Sequence, residues 1–284
     1  MNRGWLTGII VGLTMAVCLP AHAIVLRYAP TVGEVHRYEV EAAGSFEMTM
    51  GAEGQSSPTQ TTVEVQCEQR ALSQTGAITR LQTNLLGGKG TRKWEGETEP
   101  VDVPTGRAVV EVDRRARITK LVEMNVEGTD ASQDLAPWAE ALSSWSQFAA
   151  LPEGDVNVGD SWTDTFLIAL PHGMPRIKMS VKSQLLDLTS LQGRECAKIR
   201  TTFGGPLELE GSDMGPFGSV GPTTGKLQGD LTWYYDYANS IFVAGEGSGG
   251  MDMSRSMQGI LGPGVSDGTF GTKMLMNVKI ALAQ

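Results

Sequence analysis

The sequence predicts a mainly β protein: two tandem repeats of curved antiparallel sheet, half-barrel-like, joined by one amphipathic helix. Three observations predict it. Apolar residues alternate with polar ones over many short stretches, which is the period of a half-buried strand. Glycine stands at 35 of 284 positions, a content that favours turns over long helices. Four pairs of short segments also recur in the same order along the chain, the mark of an internal duplication.

The elements follow in chain order. Residues 1–23 read as a secretory signal peptide, with Arg3 in a basic start, an apolar stretch from Trp5 to Leu19, and Ala21-His22-Ala23 before the cut. The stretch is shorter than the roughly 18 to 20 apolar residues of a membrane anchor, and Pro20 ends it. Cys18 is a poor lipidation site because the branched Val17 precedes it. The mature chain therefore starts near Ile24 and is exported to the periplasm or beyond.

A first β repeat is expected over 24–128 and a second over 153–284. Val32-Gly33-Glu34-Val35 matches Val158-Gly159-Asp160-Ser161, and Ser73-Gln74-Thr75-Gly76 matches Ser190-Leu191-Gln192-Gly193. Arg80-Leu81-Gln82-Thr83 matches Lys198-Ile199-Arg200-Thr201. Val110-Glu111-Val112-Asp113 with Ile118 matches Trp233-Tyr234-Tyr235-Asp236 with Ile241. Strands are expected where Ile177, Met179 and Val181 alternate with polar residues, and from Met274 through Val278 and Ile280 almost to Gln284. Asp113 and Asp236 open hairpin turns, since Asp bonds its own backbone there. The Gly- and Pro-dense stretches 204–226 and 258–272 are expected to be loops, with a shorter insertion at 51–60.

Between the repeats, residues 129–152 are the exception. Leu135, Trp138, Leu142 and Trp145 recur at helical spacing, Ser132 or Asp134 can cap the start, Pro137 fits a first turn, and Leu151-Pro152 ends the helix. These four apolar residues are the candidate ligand-binding residues. They either cover an apolar cavity or plug the end of a sheet as ordinary core.

Charge and composition exclude several functions. Cleavage leaves 22 basic residues against 32 acidic, a balance of −10, which opposes nucleic acid and anionic lipid surfaces. The mature chain has no stretch suited to a stable membrane span. Its two histidines, His36 and His172, sit in no recognisable metal or triad context, so neither catalytic residue, metal nor cofactor is assigned and the reading leans away from an enzyme. Gly245-Glu246-Gly247-Ser248-Gly249-Gly250 has the spacing of a dinucleotide loop but no helix signal after it, so it is expected to be strand. Three Met-x-Met pairs, Met48 with Met50, Met251 with Met253 and Met274 with Met276, place soft thioethers on single strand faces. Core or cavity lining explains them, with Cu(I) ligation the sharper alternative. Cys67 and Cys196 are expected to remain unpaired more readily than to bridge, because Val63, Val65 and Cys67 form an apolar face whereas Cys196 shares one with Lys198 and Arg200.

Leu26-Arg27-Tyr28-Ala29-Pro30 with Val32-Gly33-Glu34, and Leu151-Pro152 with Val158-Gly159-Asp160 and Trp162, give the chain a resemblance to a family of uncharacterised exported bacterial β-rich proteins built on a domain of unknown function. The likeness spans nearly the whole mature chain and implies no reaction. More distantly, the architecture is similar to the periplasmic lipoprotein-carrier fold, which implies a curved sheet that holds acyl chains. The expected function is non-catalytic binding of a lipid-like or other hydrophobic ligand on a concave sheet face. The alternatives are a structural or assembly factor that binds another envelope protein and, third, a secreted hydrolase.

Overall fold

A computed structural model describes residues 23–50, 55–56, 58–103, 105–126, 150–168, 177–209, 212–213, 219–258 and 268–283. Among them the chain is all β. The strands are β1 (Val35–Met50), β2 (Gln55–Ser56), β3 (Thr59–Thr75), β4 (Ile78–Trp94), β5 (Glu97–Val103), β6 (Gly106–Asp113) and β7 (Ile118–Val126). After the interval that includes the expected helix, which lies outside the described residues, follow β8 (Ser161–Ile168), β9 (Ile177–Leu191), β10 (Arg194–Leu209), β11 (Ser212–Asp213), β12 (Ser219–Asp236), β13 (Ile241–Gln258) and β14 (Gly268–Leu282). The signal segment also lies outside the described residues, apart from Ala23.

All strands belong to one antiparallel sheet in the order β7-β6-β4-β3-β1-β14-β13-β12-β10-β9-β8, with β2, β5 and β11 as side branches. The two outer strands are not paired with each other, so the sheet is open. The hairpins are set by the expected turn chemistry. Asp113 Oδ1 accepts the Arg115 and Arg117 amides at 2.9 and 3.0 Å. Asp236 Oδ1 accepts the Asn239 amide at 3.0 Å. Between β9 and β10, Gln192 and Gly193 both take positive φ, 52° and 74°, the pair of angles that a tight two-residue hairpin needs.

The alternation read from the sequence decides which face is buried. On one face lie Val63, Val65 and Cys67, Met179 and Val181, Ile280 and Leu282, all buried. The sheet curls until strands from both outer thirds share a single core: Val110 and Val112 of β6 pack in the same cluster as Leu185 of β9, Ile199 of β10 and Trp233 of β12. Residues 24–28 and 150–156 fill the base of this curl. Ile24 bridges Val156, the Tyr28 amide donates to Arg114 O at 2.8 Å, and Tyr235 Oη donates to Arg27 O at 2.5 Å. Leu26, Tyr28 and Leu151 are buried there. The short Leu26-Arg27-Tyr28 segment is thus a plug for the core.

An ion-pair cluster holds the outer strands together at that base. Arg115, in the β6–β7 turn, donates to Leu151 O at 2.9 Å and approaches Asp164 of β8 to 2.9 Å, a charge contact rather than an aligned hydrogen bond. Arg117 adds a second cation 3.7 Å from the same carboxylate.

Two expectations need correction. Parts of both Gly- and Pro-rich stretches are strand: residues 204–209 continue β10, 219–226 belong to β12, and 268–272 belong to β14. Pro206 is tolerated because β10 pairs with β9 only as far as Phe203, which leaves the proline on a side without a ladder. Second, Cys196 is fully buried although its neighbours Lys198 and Arg200 are polar. The Arg194–Asp236 ion pair, 3.0 Å, closes the adjacent turn beside it. Cys67 and Cys196 are both free thiols, as expected, and burial pushes the Cys67 thiol up to about 12.

Candidate functional site

The strands are longer than the core. From Trp233 towards Ser219, β12 runs on for 14 residues, or roughly 46 Å at the rise of a strand, while the largest packed cluster ends near Leu231 and two small ones, around Met179 and Val181 and around Leu207, follow it. Beyond it the core-side face continues as an apolar floor built across β1, β14, β13, β12 and β10.

The register places that floor residue by residue, since directly paired residues share a face. Gly44, Met276, Gly249, Gly229 and Phe203 form one row; Phe46, Met274, Met251 and Leu227 form the next; Met48, Thr272, Met253, Gly225 and Leu207 form a third. The three Met-x-Met motifs, up to 228 positions apart in sequence, therefore meet on three adjacent strands. Met48 is 37% exposed, Met251, Met253, Met274 and Met276 are half-buried, and Met251 and Met253 pack on the buried Leu207. Thioether side chains have three rotatable bonds and a polarisable sulfur, so such a floor adapts to varied apolar shapes.

The glycines inside the floor receive large neighbours. A Cβ on Gly245 would stand 2.3 Å from two Trp233 ring carbons, and one on Gly229 would stand 2.0 Å from the Phe203 ring. The run Gly245 to Gly250 is accordingly a β13 ladder segment in which aromatic rings from β10 and β12 lie over bare backbone. That agrees with its expected reading as strand.

The opposite face is charged. Glu39, Glu41 and Glu47 of β1, Lys273 and Lys279 of β14, and Glu246 and Asp252 of β13 lie on it by register. An open groove there is lined by Glu41, Glu64, Asp230, Thr232, Glu246 and Lys279. Lys89 stands 3.1 Å from Glu64, Arg200 grips both oxygens of Asp230, and Lys279 lies in register between Glu41 and Glu246. Among the described residues no group of three or more His, Cys, Asp or Glu side chains could hold a metal ion, and no helix is long and apolar enough to cross a membrane.

The candidate ligand residues chosen from sequence, Leu135, Trp138, Leu142 and Trp145, lie outside the described residues, as does His172. Sequence reading missed the methionine floor as a single surface. The motifs were visible, but their convergence depends on β14 lying between β1 and β13, a long-range pairing that no local pattern announces. No protein-family model and no curated protein matches the chain. Among solved structures it is similar to the outer membrane protein OprG from Pseudomonas aeruginosa at a TM-score of 0.17 and 7% identity, over 87% of this chain and 95% of that one. A likeness at that score carries no argument.

Proposed function

We propose that this is an exported, non-catalytic protein that holds a lipid-like or other hydrophobic ligand against the methionine-lined face of its curved sheet. The observation that carries the reading is the floor of half-buried Met251, Met253, Met274 and Met276 with Phe46, Leu227 and the exposed Met48, extending past the largest core cluster. Stability alone gives no reason to extend an apolar face beyond its core. Ligand sites are mostly apolar with few polar groups, and this floor has that composition.

Export fits the same picture. Cleavage near Ala23 would leave Ile24 as the first residue, where its nitrogen donates to Val156 O at 2.8 Å, a bond that a free amine makes as well as an amide does. A sheet that itself spans a membrane turns an apolar band towards lipid. Here the face away from the core carries Glu41, Glu246, Lys273 and Lys279 instead. The duplication is part of the proposal: β1-β3-β4-β6-β7 and β8-β9-β10-β12-β13 are meanders with the same order of neighbours, and β14 joins them.

The experiment is displacement of a hydrophobic fluorescent dye by hexadecanoic acid. The wild type binds dye saturably and releases it to the acid, whereas Met251→Glu and Met274→Lys, placed at half-buried positions, lose binding and keep their thermal midpoint. Unchanged binding in both variants would contradict the site.

A second reading, an assembly factor for another envelope protein, is favoured by the outer strands. Among the described residues β7 and β8 each lack a neighbour on one side, and Leu121 and Met124 of β7 are 53% and 38% exposed. Unpaired edges are templates for an added strand. Absence of dye and lipid binding would put this reading first.

A further inference from the structure

We propose that Arg255 anchors the head group of the ligand and that the ligand is a single-chain fatty acid, bound through its carboxylate; the inference rests on the methionine floor being the ligand site. Arg255 lies on β13 two residues past Met253, on the same face of the strand. Its Nε donates to Oγ1 of Thr223 at 3.0 Å across the β12–β13 ladder, and Thr223 is 4% exposed. That bond fixes the plane of the guanidinium, and among the described residues no hydrogen bond engages its terminal nitrogens.

The contrast with the other arginines singles it out. Among the described residues, Arg37, Arg92, Arg107, Arg115, Arg117, Arg194 and Arg200 each meet a carboxylate. Arg27, Arg70, Arg80 and Arg114 are exposed to water. Arg255 alone is half-buried with no described acidic partner. A cation removed from water needs a counter-charge, and in a chain of net charge −9 a half-buried arginine at the end of an apolar floor, unmatched among the described residues, is suited to receive an anion.

Geometry and charge name the anion. From the row of Gly229 and Met276 to Thr223 and Arg255 is six residues along β12, about 20 Å, the span of a long acyl chain laid along the floor with its tail against Phe203. One planar guanidinium matches one carboxylate in a two-point contact. A phosphate monoester, carrying up to two charges, would call for a second cation, and the three floor rows next to Arg255 contain none.

The test compares hexadecanoate with hexadecanol at pH 8 in dye displacement, on the wild type, Arg255→Gln and Arg255→Lys. The wild type is expected to prefer the acid about ten- to a hundredfold, the range of a charged hydrogen bond. Arg255→Gln should lose that preference while it keeps its affinity for the alcohol, and Arg255→Lys should keep part of it. Equal wild-type affinity for acid and alcohol, or a preference that survives in Arg255→Gln, overturns the anchor and leaves the apolar site standing. Failure of the wild type to bind either compound overturns both.

Discussion

His36 stands at the start of β1 with its side chain 13% exposed, and its nearest acidic oxygen, Glu34 Oε1, is 3.8 Å away. Burial holds its pKa below the ordinary histidine value; Glu34 works to raise it and Arg194 adds to the lowering. The folded state therefore favours neutral imidazole, while the unfolded chain takes up a proton near pH 6.5. Stability from this group is present above that value and is lost as the pH falls towards the folded pKa. The thermal midpoint is expected to fall between pH 7.5 and 5, with a shallower fall in His36→Gln. Parallel profiles for the two proteins would exclude His36 as the cause. Neither the burial nor the partners of this histidine could be read locally, because Arg194 belongs to a strand on the far side of the sheet.

At the scale of the strand, much was legible. Alternation identified the faces of β3, β9 and β14, and Asp113 and Asp236 marked real hairpins, because both signals are local. The Gly-rich stretches misled for a physical reason. Glycine weakens a strand on its own, but Gly225, within 204–226, lies so close to the β13 backbone that an added Cβ would stand 2.1 Å from Asp252 O; outside those stretches Gly229 and Gly245 lie likewise under the rings of Phe203 and Trp233, so a neighbouring strand fills the place of the missing side chain. Gly245→Ala should accordingly cost about 1 to 3 kcal/mol as an overpacked site, read as a drop of several degrees in thermal midpoint. Gly205→Ala, with nothing within 4 Å of its added carbon, is the control and should change stability by less than about 0.5 kcal/mol. Equal effects at the two sites would mean that Trp233 does not pack on Gly245.

On the scale of the whole molecule, one face of the sheet differs between its two ends. Its base is a closed core drawn from both meanders, plugged by residues 24–28 and tied across the outer strands by Arg115 and Asp164. Its far half carries the same alternation outward as a methionine floor with Arg255 at the end. The division was not legible in the sequence, where Val40 and Met48 continue one pattern without a break. Only the curl of the sheet decides which residues face the main core and which lie beyond it. Native mass spectrometry of the protein purified from its own envelope tests the central claim most directly. The account predicts a chain that begins at Ile24 and carries an added mass equal to a long-chain fatty acid, released when Met251 or Met274 is replaced by a charged residue. A chain that flies bare, and that also fails to take up added hexadecanoate, would contradict it.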